Sequence, residues 1–113
     1  MQTLWKGNSN VIEWGDLRNN VTDDPDLTAS VEATLFDAAT DAEILGQVWP
    51  VILALDPDRL AETGNADYLG ALLPSLVVID RQEVYASFVA TSAAGNIGTR
   101  RLDMVVKEYT SCD

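Results

Sequence analysis

Residues 46–56 read GQVWPVILALD, in which eight apolar residues follow one another from Val48 to Leu55 once Pro50 is counted. A helix that crosses a bilayer needs roughly 20 apolar residues, so the run is too short for one. A shorter helix would hold Pro50 in its interior beside the β-branched Val48, Val51 and Ile52, at a cost of about 3 kcal/mol for the proline alone. The stretch therefore reads as a strand. Proline cannot donate a ladder hydrogen bond, which puts Pro50 at a bend or a strand start. With no clean alternation, the run is expected to be covered on both faces as the most buried strand of the protein, with Trp49 as its central packing residue.

The flanking segments carry the period-two signature of half-buried strands. In TASVEATLFD (28–37), Val31, Ala33 and Leu35 share one face. EVYASFVATSA (83–93) sets Val84, Ala86, Phe88 and Ala90 against Tyr85, Ser87, Val89 and Thr91. TRRLDMVVKEY (99–109) turns Leu102, Met104 and Val106 inward, and NVIEWGDLR (10–18) pairs Ile12 with Trp14 on one face. ADYLGALLPS (66–75) is a further short strand, and LVVID (76–80) continues its apolar character. After the opening stretch, Asp56 as N-cap and Pro57 at the first helical position predict a helical turn near 57–62, ended by Gly64 and Asn65. Six or seven short strands punctuated by Gly, Pro and Asx turns predict an all-β fold, an immunoglobulin-like antiparallel β-sandwich of about seven strands. Tyr85 follows a turn at the position where such sandwiches place a tyrosine whose hydroxyl ties down a neighbouring loop.

The chain has 113 residues, enough for one domain (1–113) with its own core. MQTLWKGNSN (1–10) is expected to be a flexible N-terminal arm, and residues 110–113 a frayed end. Eighteen acidic against seven basic residues give a net charge of −11. Residues 1–58 hold 11 of the acidic and 2 of the basic side chains, so one end or face is expected to be strongly negative. Nucleic acid is a poor partner for such a surface, a membrane is not expected to be one, and a basic protein surface is the sharper alternative. Cys112 is the single cysteine and encodes no intrachain disulfide. No charged start followed by an apolar run marks the N-terminus, which predicts synthesis and folding in a cytoplasm.

Without any histidine, the commonest general base and metal ligand are missing, together with every Ser-His or Cys-His pair. The glycines form neither a phosphate loop nor a dinucleotide fingerprint. The expectation is a protein that is not an enzyme and carries no cofactor. An enzyme built on aspartate pairs, such as Asp56 and Asp58, would need a carboxylate-lined cleft. Asp23, Asp24 and Asp26 in TDDPD (22–26) offer clustered oxygens for a calcium ion, but the twelve-residue loop pattern is missing and a solvated turn explains them as well. Aromatic residues in strands are mostly core filler. Trp5, with Lys6 beside it, has the weakest case for the core. Trp5, Lys6 and Trp14 are the candidate interface residues.

Four phrases together, VEATLFDAATDAEILGQVWPVIL (31–53), ADYLGALLP (66–74), YASFVATSAAGNIG (85–98) and MVVKEY (104–109), resemble small immunoglobulin-like structural proteins of tailed bacteriophages and prophages. The resemblance implies a virion building block without catalysis, placed at the neck, on the capsid surface or on the tail. Its implied partners are other virion proteins and copies of itself in a ring or shell. A calcium- or carbohydrate-binding β-sandwich module, using TDDPD and an exposed tryptophan, is the alternative from the residues themselves.

Overall fold

Period-two alternation in three long segments builds the larger of two layers. The computed structural model describes residues 1–19 and 21–108. Among these, the elements run β1 (Gln2–Lys6), β2 (Asn10–Trp14), β3 (Ser30–Asp37), β4 (Val51–Leu55), α1 (Pro57–Thr63), β5 (Tyr68–Leu72), β6 (Glu83–Thr91) and β7 (Ile97–Glu108). β3, β6 and β7 pair antiparallel over long registers, and Val31, Ala33, Leu35, Val84, Ala86, Phe88, Met104 and Val106 all point into the core. The inward faces expected for β3 and β7 are the observed ones, and of the two faces of β6 the one with Val84, Ala86, Phe88 and Ala90 is buried.

The strand order is β1-β7-β6-β3-β4-β5-β2, a mixed sheet nearly closed into a barrel-like sandwich, with β1 and β7 parallel. Lettered A to G in chain order, β3, β6 and β7 take the places of strands C, F and G of an immunoglobulin-like sandwich, and β2, β5 and β4 those of B, E and D. β4 makes the corner. Val51–Leu53 pair with β3, whereas Ala54 and Leu55 pair with β5, so one short strand serves both layers. Phe88 from β6 is fully buried between the layers, and the Trp14 ring of β2 meets it edge-on at 6.2 Å.

The opening stretch differs from its expected form. The strand begins only at Val51, just after a cis Trp49–Pro50 peptide, and Leu53 is its one buried side chain. Val48 is 87% exposed and Ile52 66%. In a two-layer sandwich each strand has one face on the core, and α1, which has no buried residue, leaves the outer face of β4 uncovered. Trp49 is not the central residue. It is half-buried in the loop before β4, packs on the core from one side and donates its Nε1–H to the Ile44 carbonyl at 2.6 Å. Residues 76–80 are likewise not a strand, although Leu76 and Val78 alternate inward.

The N-terminal stretch is no loose arm. Its residues Gln2–Lys6 are β1, and Leu4 is buried against the core. β1 and β2 are the two edges of the sheet. Where they meet, the side chain of Asn10 accepts from the Trp5 N–H at 2.9 Å and donates to the Trp5 carbonyl at 3.0 Å. The amide thus stands in for a strand residue at the seam. The residues 110–113, together with Tyr109 and Cys112, lie outside the described residues.

α1 has the expected start and stop. Asp56 accepts from the Asp58 and Arg59 N–H groups, Pro57 opens the helix, and Gly64 closes it with φ +76°. Arg59 anchors the helix to the sandwich through Glu13 on β2 and Asp67 before β5. Asp67 also accepts the Asp16 N–H at 2.8 Å, which fixes the start of the loop between β2 and β3. That loop is held at its other end by Tyr68, buried on β5, whose hydroxyl donates to the Asp26 carbonyl at 2.7 Å and accepts from the Ala29 N–H.

Two tests follow from these ties. Asn10→Ala removes two hydrogen bonds at the seam and is expected to cost about 1–2 kcal/mol, with amide exchange accelerating first in Gln2–Lys6. Burial raises the Tyr68 pKa, the Asp26 charge adds to this, and the hydrogen bond from the Ala29 amide opposes it. A raised folded-state pKa contributes stability that is fully present below the unfolded value near 10 and is lost as the pH rises through the folded one. Tyr68→Phe should therefore flatten the alkaline limb of a stability–pH curve while lowering stability at pH 7 by about 1–3 kcal/mol. An alkaline limb unchanged in the variant would refute this assignment.

Candidate interaction surface

The strands run so that their loops gather at two ends of the sandwich. One end carries residues 7–9, 38–50 and 73–82, and the other carries residues 15–29, α1 and the β6–β7 hairpin. The two ends differ in chemistry.

At the first end, two loops interlock through main-chain atoms. The Val77 N–H donates to the Leu45 carbonyl at 2.8 Å, and the Ser75 hydroxyl donates to the Gly46 carbonyl at 2.8 Å. Gln47 spans to the end of β5, donating to the Ala71 carbonyl and accepting from the Leu73 N–H. Gly46 has φ +102°, and a Cβ there would lie 2.2 Å from the Ser75 carbonyl oxygen, so only glycine lets the two backbones approach this closely. Ile44, Leu76 and Val78 point inward and fasten the loops to the core. Their neighbours point outward: Leu45 is 71% exposed, Val77 64% and Ile79 67%, and Leu73 is about half exposed. Leu45 and Val77 lie side by side across the loop pairing, and Val48, Leu73 and Ile79 add exposed apolar side chains at the same end of the sandwich. Contiguous exposed apolar surface is a mark of an interaction site in a water-borne protein.

The loop leading to this surface is braced from the outer face of the larger layer. Tyr85 donates its hydroxyl to Asp41 at 2.8 Å, stacks on Phe36 with ring centres 5.3 Å apart, and lies under the Arg101 guanidinium at 3.9 Å. Tyr85 thus ties down a loop, as its place in the sequence predicts. The Asp41 carboxylate, then burial, raise its pKa, and Arg101 opposes them.

The opposite end carries Asp16, Asp23, Asp24, Asp26, Asp56, Asp58 and Glu62, together with Arg18, which pairs with Asp16, and Arg59, which pairs with Glu13 and Asp56. Arg18 crosses the β2–β3 loop, pairing with Asp16 at 3.1 Å and donating to the Asp23 carbonyl at 2.9 Å. Asp26 accepts the Thr28 N–H. Asp23, Asp24 and Asp26 are thus placed in one loop, but among the described residues no three such side chains converge as a metal site. A cleft of about 170 Å³ opens between this loop and the β6–β7 hairpin, walled by Trp14, Leu17, Ala90 and Gly98.

Of the interface residues expected from sequence, Trp5 is 41% exposed on the outside of β1, with Lys6 next to it at the strand end. Trp14 is instead part of the fold: it packs on Phe88, and its ring lies beside Gly98. The exposed loop residues Leu45, Val48, Leu73 and Val77 were not expected, since apolar side chains in a sequence read as core. No protein-family model matches the chain, and neither a curated protein nor a solved structure is found similar to it.

Gly46→Ala is expected to destabilise the protein by about 2–4 kcal/mol, through the forced φ and the contact with Ser75 together. Gly95→Ala has a similar φ but open space around it, and should cost only about 1–2 kcal/mol. Chemical denaturation of both variants measures the difference, and equal losses would show that the loop apposition contributes nothing.

Proposed function

We propose that this protein is a non-enzymatic interaction module that takes its place in a larger assembly by docking its apolar loop end. The observation that carries this reading is the set Leu45, Val48, Leu73, Val77 and Ile79, held outward on two loops whose backbones are locked to each other. A folded chain that fixes branched apolar side chains in water has a surface shaped for a partner. The phrases quoted above resemble immunoglobulin-like structural proteins of tailed phages, which extends the proposal to a virion component at the head-to-tail neck or on the capsid surface. Its partners in that setting are other virion proteins, its place is the particle, and it is made in the host cytoplasm. The β-sandwich serves as the rigid body that presents the loops.

Quantitative mass spectrometry of purified particles from a strain encoding this chain tests the proposal. The expected result is a fixed stoichiometry of the kind a ring or shell imposes, and particles devoid of the chain would overturn the virion assignment. A Leu45→Asp, Val77→Asp double variant should keep its thermal stability within about 0.5 kcal/mol of the parent, because both side chains are exposed. It should nevertheless fail to enter particles.

A further inference from the structure

The rim of the apolar end says what kind of surface fits it. We infer that the docking partner is a different protein, one that offers an apolar patch bordered by lysine or arginine, and not a second copy of this chain. This rests on the assembly reading above and adds the identity of the partner's surface.

Within the two interlocked loops and the strand ends they join, the charged side chains are Asp37, Asp41, Glu43, Asp80, Arg81 and Glu83. Arg81 is the one cation of that set, and it lies 3.9 Å from Asp80. Across the same end, Lys6 stands in register with Glu108, with Lys107 beside them, and the Glu108 N–H rests on the Asp80 carboxylate at 3.0 Å, so six carboxylates face three cations there. The apolar side chains are therefore bordered by net negative charge.

A two-fold contact through this end would lay one net-negative rim against another of the same sign. Each chain also contributes a net charge of −11, so the encounter is repulsive over a Debye length. A head-to-tail contact fares no better, since the opposite end presents Asp23, Asp24, Asp58 and Glu62. Like charges facing each other across an interface select against that partner, and opposite charges select for one and speed its approach. Apolar contact at the centre supplies affinity once water leaves, and the locked loops lose little freedom on binding.

Two synthetic amphipathic helical peptides with one and the same leucine face, one with lysine and one with glutamate on the polar face, test the inference on the full chain. The lysine peptide is expected to bind, with NMR shift changes confined to residues 44–48 and 73–83, and to weaken by roughly tenfold between about 0.05 and 0.3 M salt. The glutamate peptide is expected to bind at least roughly tenfold more weakly. Leu45→Asp, Val77→Asp should abolish binding, and Asp58→Asn, Glu62→Asn at the far end should leave it unchanged. Equal binding of the two peptides, or shifts mapping to the far acidic end, overturns the inference. Sedimentation that shows a dimer of the parent and a monomer of the double variant also overturns it, while leaving the apolar end as an interface. A monomer that binds neither peptide removes both the inference and the docking reading on which it rests.

Discussion

Everything in this structure hangs on one geometric constraint: a two-layer sandwich offers each strand a single buried face. Phe88 and the edge-on Trp14 set the spacing of the layers, and the inward residues of β3, β6 and β7 close around them. Apolar side chains beyond what that core can enclose must go outward. The only helix among the described residues is seven residues long with none buried, and it covers no sheet face. The surplus apolar residues, Ile52 on β4 and the outward members of the 44–48 and 73–79 loops, are therefore surface by necessity.

That surplus also explains which parts of the fold were legible. The three strands with strict alternation showed their faces in the sequence because polar residues mark the solvent side. The helix start at Asp56-Pro57 was legible because capping is local chemistry. β1 was not: five residues with one buried side chain, Leu4, make no pattern, and their partner β7 lies at the other end of the chain. The run 46–56 is ambiguous in one specific way. A strand covered on both faces and a strand with an apolar outer face write the same letters, so Val48 and Ile52 looked like core.

The same ambiguity hid the candidate site. LVVI at 76–79 alternates inward and outward as Leu76 and Val78 against Val77 and Ile79, yet all four letters are apolar. What the sequence did carry was Gly46, and its meaning appears only when the Ser75 carbonyl is seen where a Cβ would sit. Of the three tryptophans, Trp14 packs between the layers against Phe88. Tyr68, which ties the β2–β3 loop through both its donor and its acceptor, passed as one more strand aromatic.

The interlocking of the two loops separates shape from identity. Leu45 and Val77 are joined through a backbone N–H and carbonyl, and Gly46 and Ser75 through a carbonyl and a hydroxyl, so the outward side chains at 45, 48, 73 and 77 carry no part of the scaffold. They are exposed to water, so what they present can change while the backbone beneath stays the same. Substitution at those outward positions alters the face of the loop end, while Gly46 and the inward Ile44, Leu76 and Val78 stay bound to their places by packing.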